Sequence, residues 1–490
     1  MSQRHREPMS SIDAAWLGMD RPTNLMVING VMLFDEPVEY DRLYRLLDER
    51  LAGLFDRFRQ RIVPGPSRSR FYWEDDPHFH LRRHLHRVAL PAPHDEATLQ
   101  GLIGDLMSEP LDRAHPLWRF YLIENVTIGG KAGGCAVFGR IHHCIADGMA
   151  LIQVLLSLTD PSAAEAAPRP QPEEPARRGD GALPRPLRMV AGLTKQGVRL
   201  LASLLPTEEE GGLTPAGLLN ALQNAGLLTA ASAAILAKLL IMAPDRQSPY
   251  RGEMGGIKRV AWSPPLPLAQ VKEIAHAAGA TVNDVLVAAA AGALRRDMLE
   301  RGAEMAGGDL RALAPMNLRR PSPELRLGNE FSLLYLALPV ALDQPYARLM
   351  AVKQRMDRLK RSPEALVVYQ VLSLLGMLPP EVSHQAVDWF AEKASCVLTN
   401  VPGPRQTLYL AGRPISRILF WVPHSGNISM GISLLSYAGS VSLGVEVDER
   451  LIPDPERLIA HFLEEFALLV DLGKGLAATT PAASTTATLP

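Results

Sequence analysis

Apolar residues in the first third of the chain alternate between strand-like and helix-like spacing. Two runs, NLMVINGVMLF (24–34) and GGCAVFGRIHH (133–143), have the length and apolar content of strands. In DRLYRLLDERLAGL (41–54) and MALIQVLLSL (149–158) the apolar residues recur at helical spacing. Strands and helices mixed in this way predict an α/β layered domain over residues 1–160.

The second half repeats this mixture. Helical patterns cover 265–280 and 281–302, and the second begins at a predicted N-cap, Thr281, with Asp284 in its first turn. Strands are predicted over 331–340, 396–403, 428–439 and 440–448, and the last two meet at Ala438-Gly439, which indicates a hairpin. An amphipathic helix over 453–475 closes a predicted second α/β domain, 250–475. The polar remainder, 476–490, is predicted to be disordered.

Residues 161–249 separate the two predicted domains. Proline, alanine and charged residues dominate 161–184, which indicates an exposed linker. In 185–206, Arg188, Lys195 and Arg199 fall along one helical edge opposite an apolar face. Such a basic amphipathic crossover suits a membrane interface, and an ordinary surface helix docked on the core is the alternative.

The composition of the chain disfavours several classes of protein. The chain has 490 residues, enough for two domains, and is 47% hydrophobic with a net charge of −1, so no long-range field favours nucleic acid. Its three cysteines form no disulfide or zinc pattern, which predicts a reducing, cytosolic compartment. The N-terminus lacks the apolar core of a signal peptide. The longest apolar stretch, 227–243, is interrupted by Lys238 and predicts a buried or surface helix.

RIHHCIADGMALIQVL (140–155) contains the candidate chemistry. Successive strand residues point to opposite faces, so one of His142 and His143 should enter a site while the other supports it. Asp147 is placed to orient the loop or to hold an imidazole tautomer, directly or through an arginine. Gly148 permits an unusual φ or a close approach where the next helix begins.

A neutral imidazole can take the proton of an alcohol that attacks an acyl carbon. Two structural histidines are the alternative for an isolated pair, but the aspartate and glycine at this spacing favour a site. A metal site with His142, His143 and Asp147 is less favoured, because adjacent histidines on opposite faces are poor co-ligands and no further ligand spacing is present. We therefore predict no metal.

The stretch 142–148 fits the HHxxxDG motif, and with it the chain resembles the bacterial wax ester synthase/diacylglycerol acyltransferases of the chloramphenicol acetyltransferase and condensation-domain superfamily. The ordered motifs that carry the resemblance span almost the whole chain. They are Pro8-Met9-Ser10 to Asp13, Pro116-Leu117-Trp118, Thr281-Val282-Asn283-Asp284, Pro315-Met316-Asn317-Leu318-Arg319, Gly328-Asn329, Thr399-Asn400-Val401-Pro402-Gly403-Pro404, Ser436-Tyr437-Ala438-Gly439, Asp448, Pro453 and Asp454.

The resemblance implies an α/β fold of two chloramphenicol-acetyltransferase-like subdomains with mixed sheets and a central channel between them. It implies that His143 is the general base and that His142 supports it. Asp147 would then be an orienting, structural residue, and Gly148 a backbone requirement. The motif leaves the position of Cys144 open, which disfavours a covalent role.

The other motifs imply support for this site. Asn283 and Asp284 would support it from the second domain, and either Asn283 or a backbone N–H is a candidate donor to the oxyanion. Pro116, Leu117 and Trp118 are candidates for lining the acyl channel, with a tryptophan in the core as the alternative.

The activity implied is acyl-CoA-dependent esterification of diacylglycerol or a long-chain alcohol to triacylglycerol or wax ester, by direct transfer without an acyl-enzyme. The reaction would need no cofactor, with acyl-CoA as a substrate. We expect a cytoplasmic protein, peripherally associated with the inner face of the membrane or with lipid droplets. A condensation-type acyltransferase that uses another acceptor or a carrier-bound acyl group, and a non-catalytic lipid-binding protein, are the alternatives. Acceptor preference, acyl length and oligomeric state do not follow from the sequence.

Overall fold

A computed structural model describes residues 6–65, 71–163, 230–319, 327–376 and 380–479. The predicted basic helix over 185–206 and most of the predicted linker lie outside these residues. The predicted strands and helices of both halves are present with small shifts of their ends. The mixed α/β class is therefore confirmed.

The helices mostly follow the apolar periodicity of the sequence. The helix predicted from 281 begins with a capping box, in which Thr281 Oγ1 accepts from the Asp284 amide (3.2 Å) and Asp284 Oδ2 accepts from the Thr281 amide (2.9 Å). In chain order the α-helices are α1 Ser11–Gly18, α2 Tyr40–Leu47, α3 Glu96–Ser108, α4 Gly148–Leu158, α5 Ala230–Ile241, α6 Leu268–Ala277, α7 Val282–Glu300, α8 Pro345–Arg361, α9 Glu364–Leu375, α10 Pro380–Ala391 and α11 Pro455–Thr479.

The strands form two large mixed sheets and two small ones. In chain order they are β1 Arg6–Pro8, β2 Val27–Phe34, β3 Gln60–Pro64, β4 Phe71–Asp75, β5 Leu85–Ala89, β6 Trp118–Ile128, β7 Lys131–His142, β8 Lys258–Trp262, β9 Leu266–Pro267, β10 Leu310–Asn317, β11 Phe331–Leu338, β12 Cys396–Pro402, β13 Tyr409–Leu410, β14 Arg413–Pro414, β15 Arg417–Trp421, β16 Met430–Tyr437 and β17 Ser440–Asp448.

The first large sheet has the order β15-β2-β7-β6-β5, with β5 and β6 parallel and the other pairs antiparallel. The second has the order β11-β10-β12-β16-β17-β8, and β9 pairs with β17 beside that path. Here β10, β12 and β16 run parallel. The predicted hairpin between β16 and β17 is confirmed, with positive φ at Ala438 (45°) and Gly439 (82°).

The predicted domain boundaries do not follow the sheets. Strand β15 comes from the predicted second domain, yet it is the edge strand of the first sheet, where Leu419 pairs with Val31 of β2. Its apolar side chains are buried on both faces of the strand, so both faces must pack against other parts of the protein. The contact between the two halves provides this packing. The two halves are therefore joined by strand β15, which pairs with the first sheet, as well as by the chain segment between them.

The predicted start of the disordered tail, residue 476, is also too early. Helix α11 continues to Thr479, since Leu476, Ala477 and Ala478 are favourable helix residues and no proline interrupts them. Residues 480–490 lie outside the described ranges.

Among the helices of the described residues, none is both long and apolar enough by itself to cross a membrane. Helices α6 and α7, bent by 96° at a short break, satisfy that test only as a pair and only on length and composition.

Candidate active site

His143 follows directly after the end of strand β7, and its backbone is fixed by the residue that precedes strand β2. Its amide donates to the Met26 carbonyl at 2.7 Å. The imidazole lies against two aromatic rings, stacked on Trp16 at 4.2 Å between centroids and tilted against Phe331 at 5.2 Å. Only 5% of the residue is exposed. The ring is therefore held in one orientation in a largely apolar site.

Asn329 determines which nitrogen of His143 carries the proton. Its Nδ2 donates to the carboxylate of Asp13 and to the carbonyl of His143, both at 2.8 Å. Because these two oxygens can only accept, the orientation of the amide is fixed, and its Oδ1 lies 2.8 Å from His143 Nδ1. An amide oxygen can only accept, so Nδ1 carries the hydrogen and Nε2 keeps its lone pair. Nε2 contacts no hydrogen-bonding group among the described residues.

Burial lowers the pKa of His143 to about 4, because desolvation of the cation outweighs the opposing effects of the Asp147 charge and of the bond with Asn329. The imidazole is therefore neutral at physiological pH. A neutral ring with a fixed Nδ1–H and a free Nε2 lone pair is the state that a general base requires.

Asp147 holds the loop that carries Asn329, and it makes no hydrogen bond to the imidazole. Its carboxylate accepts from the Glu330 amide and from Arg319, both at 2.9 Å, and caps helix α4 at the Ala150 amide (2.8 Å). Its own amide donates to the Gly328 carbonyl at 3.2 Å. Of the two roles predicted for Asp147, the structure shows the orientation of the loop, and Asn329 holds the imidazole tautomer instead.

His142 contacts a different set of residues from His143. Its Nδ1 accepts from the Cys144 amide at 3.2 Å, and its Nε2 lies 3.8 Å from Asp20 Oδ2, too far for a hydrogen bond. Burial raises the pKa of Asp20, but the neighbouring imidazole of His142, the Met26 amide and Arg113 together lower it to about 2. His142 thus fixes the turn behind the site.

Gly148 differs from its predicted role. It is the first residue of helix α4 and does not have a positive φ. A Cβ built on it would meet no protein atom within 4 Å, so neither an unusual φ nor a close approach requires glycine. The position borders open space at the start of the helix.

Cys144 lies inside the motif but is 1% exposed, and burial raises the pKa of its thiol well above the ordinary value. A protonated, inaccessible thiol is a poor nucleophile.

The predicted support from the second half is not in contact with His143. Asp284 uses its carboxylate in the capping box of α7. Asn283 Oδ1 accepts from Asn400 Nδ2 at 2.9 Å, which joins two of the sequence motifs. Within the described ranges, neither Asn283 nor Asp284 has a hydrogen bond to the residues around the imidazole. Their side chains stabilise the second half.

The Pro116-Leu117-Trp118 segment lies in the core, which agrees with the alternative of a core tryptophan and not with a lining of the acyl channel. Trp118 is 1% exposed, donates from Nε1 to the Phe58 carbonyl (2.9 Å) and stacks on His84 at 4.4 Å. The Leu117 carbonyl accepts the His142 amide at 2.9 Å. A buried tryptophan needs a partner for its N–H, and this one has it in the core. The segment holds the end of β7 in place.

The structure adds residues to the site that sequence reasoning had not given a role. Trp16, Asn329 and Phe331 contact the ring of His143, Asp13 accepts a hydrogen bond from Asn329, and Arg319 pairs with Asp147. All lie within or beside the motifs Pro8–Asp13, Pro315–Arg319 and Gly328–Asn329. These motifs indicated where the site residues lie in the sequence, but the contacts between those residues depend on the tertiary fold.

No group of three or more His, Cys, Asp or Glu side chains in the described part of the chain is arranged to hold a metal ion.

Comparison with protein families matches most of the chain. The model of the wax ester synthase/diacylglycerol acyltransferase catalytic domain matches residues 9–286. The model of the C-terminal domain of the same family matches residues 327–470. The two matches together contain every residue of the site described above except Arg319.

Individual proteins agree with this match. A probable diacylglycerol O-acyltransferase of Mycobacterium tuberculosis is 28% identical over 475 residues, 95% of this chain and 96% of that protein. The wax ester synthase/diacylglycerol acyltransferase of Marinobacter aquaeolei superposes with a TM-score of 0.65 at 20% identity, over 95% of this chain and 99% of that one. The first condensation domain of the calcium-dependent antibiotic synthetase gives 0.59 at 17% identity, over 96% of each chain. These similarities confirm the predicted fold.

Proposed function

This chain belongs to the wax ester synthase/diacylglycerol acyltransferase family and is an acyltransferase that esterifies its acceptor to triacylglycerol or wax ester, and we propose that His143 Nε2 is the base of that reaction. The observation that supports this assignment is the hydrogen bond of Nδ1 to Asn329, since it leaves the lone pair on Nε2. Asp147 and Arg319 act as positioning residues through the loop that carries Asn329.

The proposed reaction is a direct transfer. Nε2 takes the proton of the acceptor hydroxyl as its oxygen attacks the thioester carbonyl of acyl-CoA. A C–O bond forms, the C–S bond breaks, and CoA leaves with the proton returned from the imidazolium, so no cofactor is required. The buried, protonated Cys144 thiol supports a path without an acyl-enzyme. The apolar walls of Trp16 and Phe331 exclude water, which limits hydrolysis of the thioester.

Apolar substrates imply work at a lipid surface, and we place the protein in the cytoplasm, peripherally on the inner face of the membrane or on lipid droplets. The amphipathic pattern of 185–206 supports this proposal, with its apolar face in the interface and its basic edge on anionic lipid. Reversing Arg188, Lys195 and Arg199 to glutamate should weaken co-sedimentation with anionic vesicles. Unchanged co-sedimentation of the reversed chain would refute this route to the membrane.

An acceptor panel tests the activity. The purified full chain is given palmitoyl-CoA with dioleoylglycerol, hexadecanol or a short polar alcohol, with and without excess chelator, and both ester and free CoA are measured. We expect equal amounts of ester and CoA with at least one lipid acceptor, undiminished by the chelator. Free CoA without ester would indicate a hydrolase. Transfer only from a carrier-bound acyl group would indicate a condensation-type enzyme, and lipid binding without turnover a non-catalytic protein.

A further inference from the structure

A buried turn between helix α1 and strand β2 joins the two halves of the protein. Asn24 in this turn is 1% exposed, and its Nδ2 donates to the carbonyls of Gly426 (2.9 Å) and Ile428 (3.0 Å) in the second half. Its Oδ1 accepts from Nζ of Lys258, the first residue of strand β8, at 2.7 Å. One asparagine side chain thus binds the second half at three points.

The turn that carries Asn24 also fixes the backbone of the proposed base. Asn24 and Arg21 exchange two backbone hydrogen bonds of 3.0 Å, which close the turn. Two residues after Asn24, the Met26 carbonyl accepts from the His143 amide at 2.7 Å. The bond from Lys258 to Asn24 therefore helps to hold His143 in position without touching it.

A second acceptor for Lys258 lies on its own sheet. In the antiparallel pair of β8 and β17, Lys258 is directly opposite Asp448. Glu446, two residues earlier in β17, is therefore its diagonal neighbour on the same face, with Cβ atoms about 7–8 Å apart, a separation that a long side chain can span. A rotation of the flexible lysine stem moves its ammonium from Asn24 towards Glu446.

Glu446 is a buried carboxyl group at the contact between the two halves. The residue is 5% exposed, and its Oε2 has no hydrogen-bond partner among the described residues. Its Oε1 lies 3.6 Å from Nε2 of His424, a ring that is neutral because burial and the Lys258 charge hold its pKa well below the usual value. Burial raises the pKa of Glu446 to about 7, against the attraction of Lys258 and Arg140. Glu446 therefore loses its proton within the physiological range of pH.

Four titratable or charged groups surround Glu446 in the described part of the chain. They are Lys258 from β8, Arg140 from β7, His424 after β15 and Asp448 in β17 itself. Arg140 is held elsewhere, since its Nη2 donates to the Glu109 carbonyl at 2.6 Å. Asp448 accepts two backbone amides at 2.9 Å each. Lys258 is thus the cation that can exchange one acceptor for the other.

We propose that Lys258 and Asn24 are positioning residues of the active site, and that the proton of Glu446 decides whether Lys258 stays on Asn24. The inference rests on the proposed function. While Glu446 is protonated, Lys258 donates to the Asn24 amide. When Glu446 loses its proton to solvent, the carboxylate attracts the ammonium more strongly than a neutral amide does, and Lys258 leaves Asn24. The Asn24 oxygen is then buried without this donor, and the turn that holds His143 loosens.

The test follows turnover across the titration of Glu446. Glu446→Gln keeps the shape of the side chain but has no proton to lose. Glu253→Gln is the matched control, because the Glu253 side chain is 82% exposed and lies shortly before β8. Ester formation by each purified full-length protein is measured from pH 6 to pH 8.5 with palmitoyl-CoA and the best acceptor of the native protein. His143 is neutral throughout this range, so the base itself adds no change.

We expect kcat of the native protein to fall about fivefold from pH 6 to pH 8.5, the value of roughly one hydrogen bond, with little change in KM. Glu253→Gln should show the same fall, whereas Glu446→Gln should keep its activity at every pH. Lys258→Met cannot donate to Asn24, so its kcat should be low and independent of pH. An equal alkaline fall in Glu446→Gln, or a native kcat that does not depend on pH, would overturn the inference.

Thermal melting tests the proton of Glu446 without turnover. Because its pKa is raised from the usual 4.5 to about 7 in the folded protein, the protonated form contributes stability that is complete below pH 4.5 and is lost as the pH rises towards 7. The melting temperature of the native protein should therefore fall relative to Glu446→Gln between pH 5 and pH 8, and a constant difference would overturn the inference. Absence of ester from the native protein with every acceptor, together with the expected melting difference, would instead overturn the proposed function.

Discussion

Replacing Asn329 by alanine tests how the base is prepared. The change removes the acceptor of the His143 Nδ1–H and the two donors to Asp13 and to the His143 carbonyl. A buried donor left without a partner costs about 1–3 kcal/mol, and the tautomer with the proton on Nδ1 loses that amount relative to the other. Since 1.4 kcal/mol is about tenfold, the reactive tautomer should fall roughly 5- to 150-fold.

We therefore expect Asn329→Ala to lower kcat by about 10- to 100-fold with little change in KM. The assay is ester formation from acyl-CoA, together with the ¹⁵N NMR shifts of the His143 ring, which distinguish the two tautomers. Asn427→Ala, an exposed asparagine, is the control and should behave as the native enzyme.

The pH profile separates this role from a merely structural one. The bond from Asn329 raises the pKa of His143 against the larger lowering by burial, so Asn329→Ala should move the acidic limb of kcat/KM to lower pH. Asn329→Asp places a carboxylate beside Nδ1–H and should move that limb to higher pH. An unchanged kcat and acidic limb in both variants would refute the reasoning.

Asp147→Ala breaks a buried ion pair and a helix cap, so it should lower the free energy of unfolding by about 3–5 kcal/mol in urea titrations. Asp357→Ala, in a surface pair, is the control and should lower it by under about 1 kcal/mol. Equal losses in the two variants would contradict this. Because the pKa of His143 is about 4 in the folded protein and about 6.5 unfolded, its neutral form contributes stability that is complete above pH 6.5 and is lost as the pH falls towards 4. The native protein should therefore lose about 2 kcal/mol more than His143→Gln between pH 7 and pH 5, and parallel losses in both proteins would contradict the burial. Gly148→Ala should be at least as stable as the native protein in thermal melting, because helix propensity adds about 0.5–1 kcal/mol and the added methyl group meets no protein atom. Its kcat/KM should fall if substrate occupies the open space there. A lower melting temperature would show that the backbone requires glycine.

Local patterns were enough to predict the halves of the fold and the unequal histidines. Strand alternation depends only on neighbouring residues, and β7 ends at His142, so different surroundings for His142 and His143 follow from the sequence. The capping box at Thr281 and the hairpin at Gly439 are equally local. These features could be predicted because no distant residue decides them.

Features that depend on distant contacts could not be predicted. Asn329 is 186 positions from His143, and nothing in the periodicity indicates that its amide holds the ring. Strand β15 looks like any other short apolar run, and only the edge of β2 determines that it crosses into the first sheet. Trp118 is a residue type that can line a pocket, but its indole N–H donates to a backbone carbonyl in the core. In each case tertiary packing chose between local alternatives.

The base assignment is tested most directly by His143→Gln, which keeps a polar side chain of similar length but cannot accept the proton. With palmitoyl-CoA and the best acceptor of the native enzyme, we predict that ester formation falls by at least about 100-fold while the circular dichroism spectrum stays native, and that His78→Ala, an exposed histidine, keeps full activity. Ester formation by His143→Gln at the native rate would contradict the account.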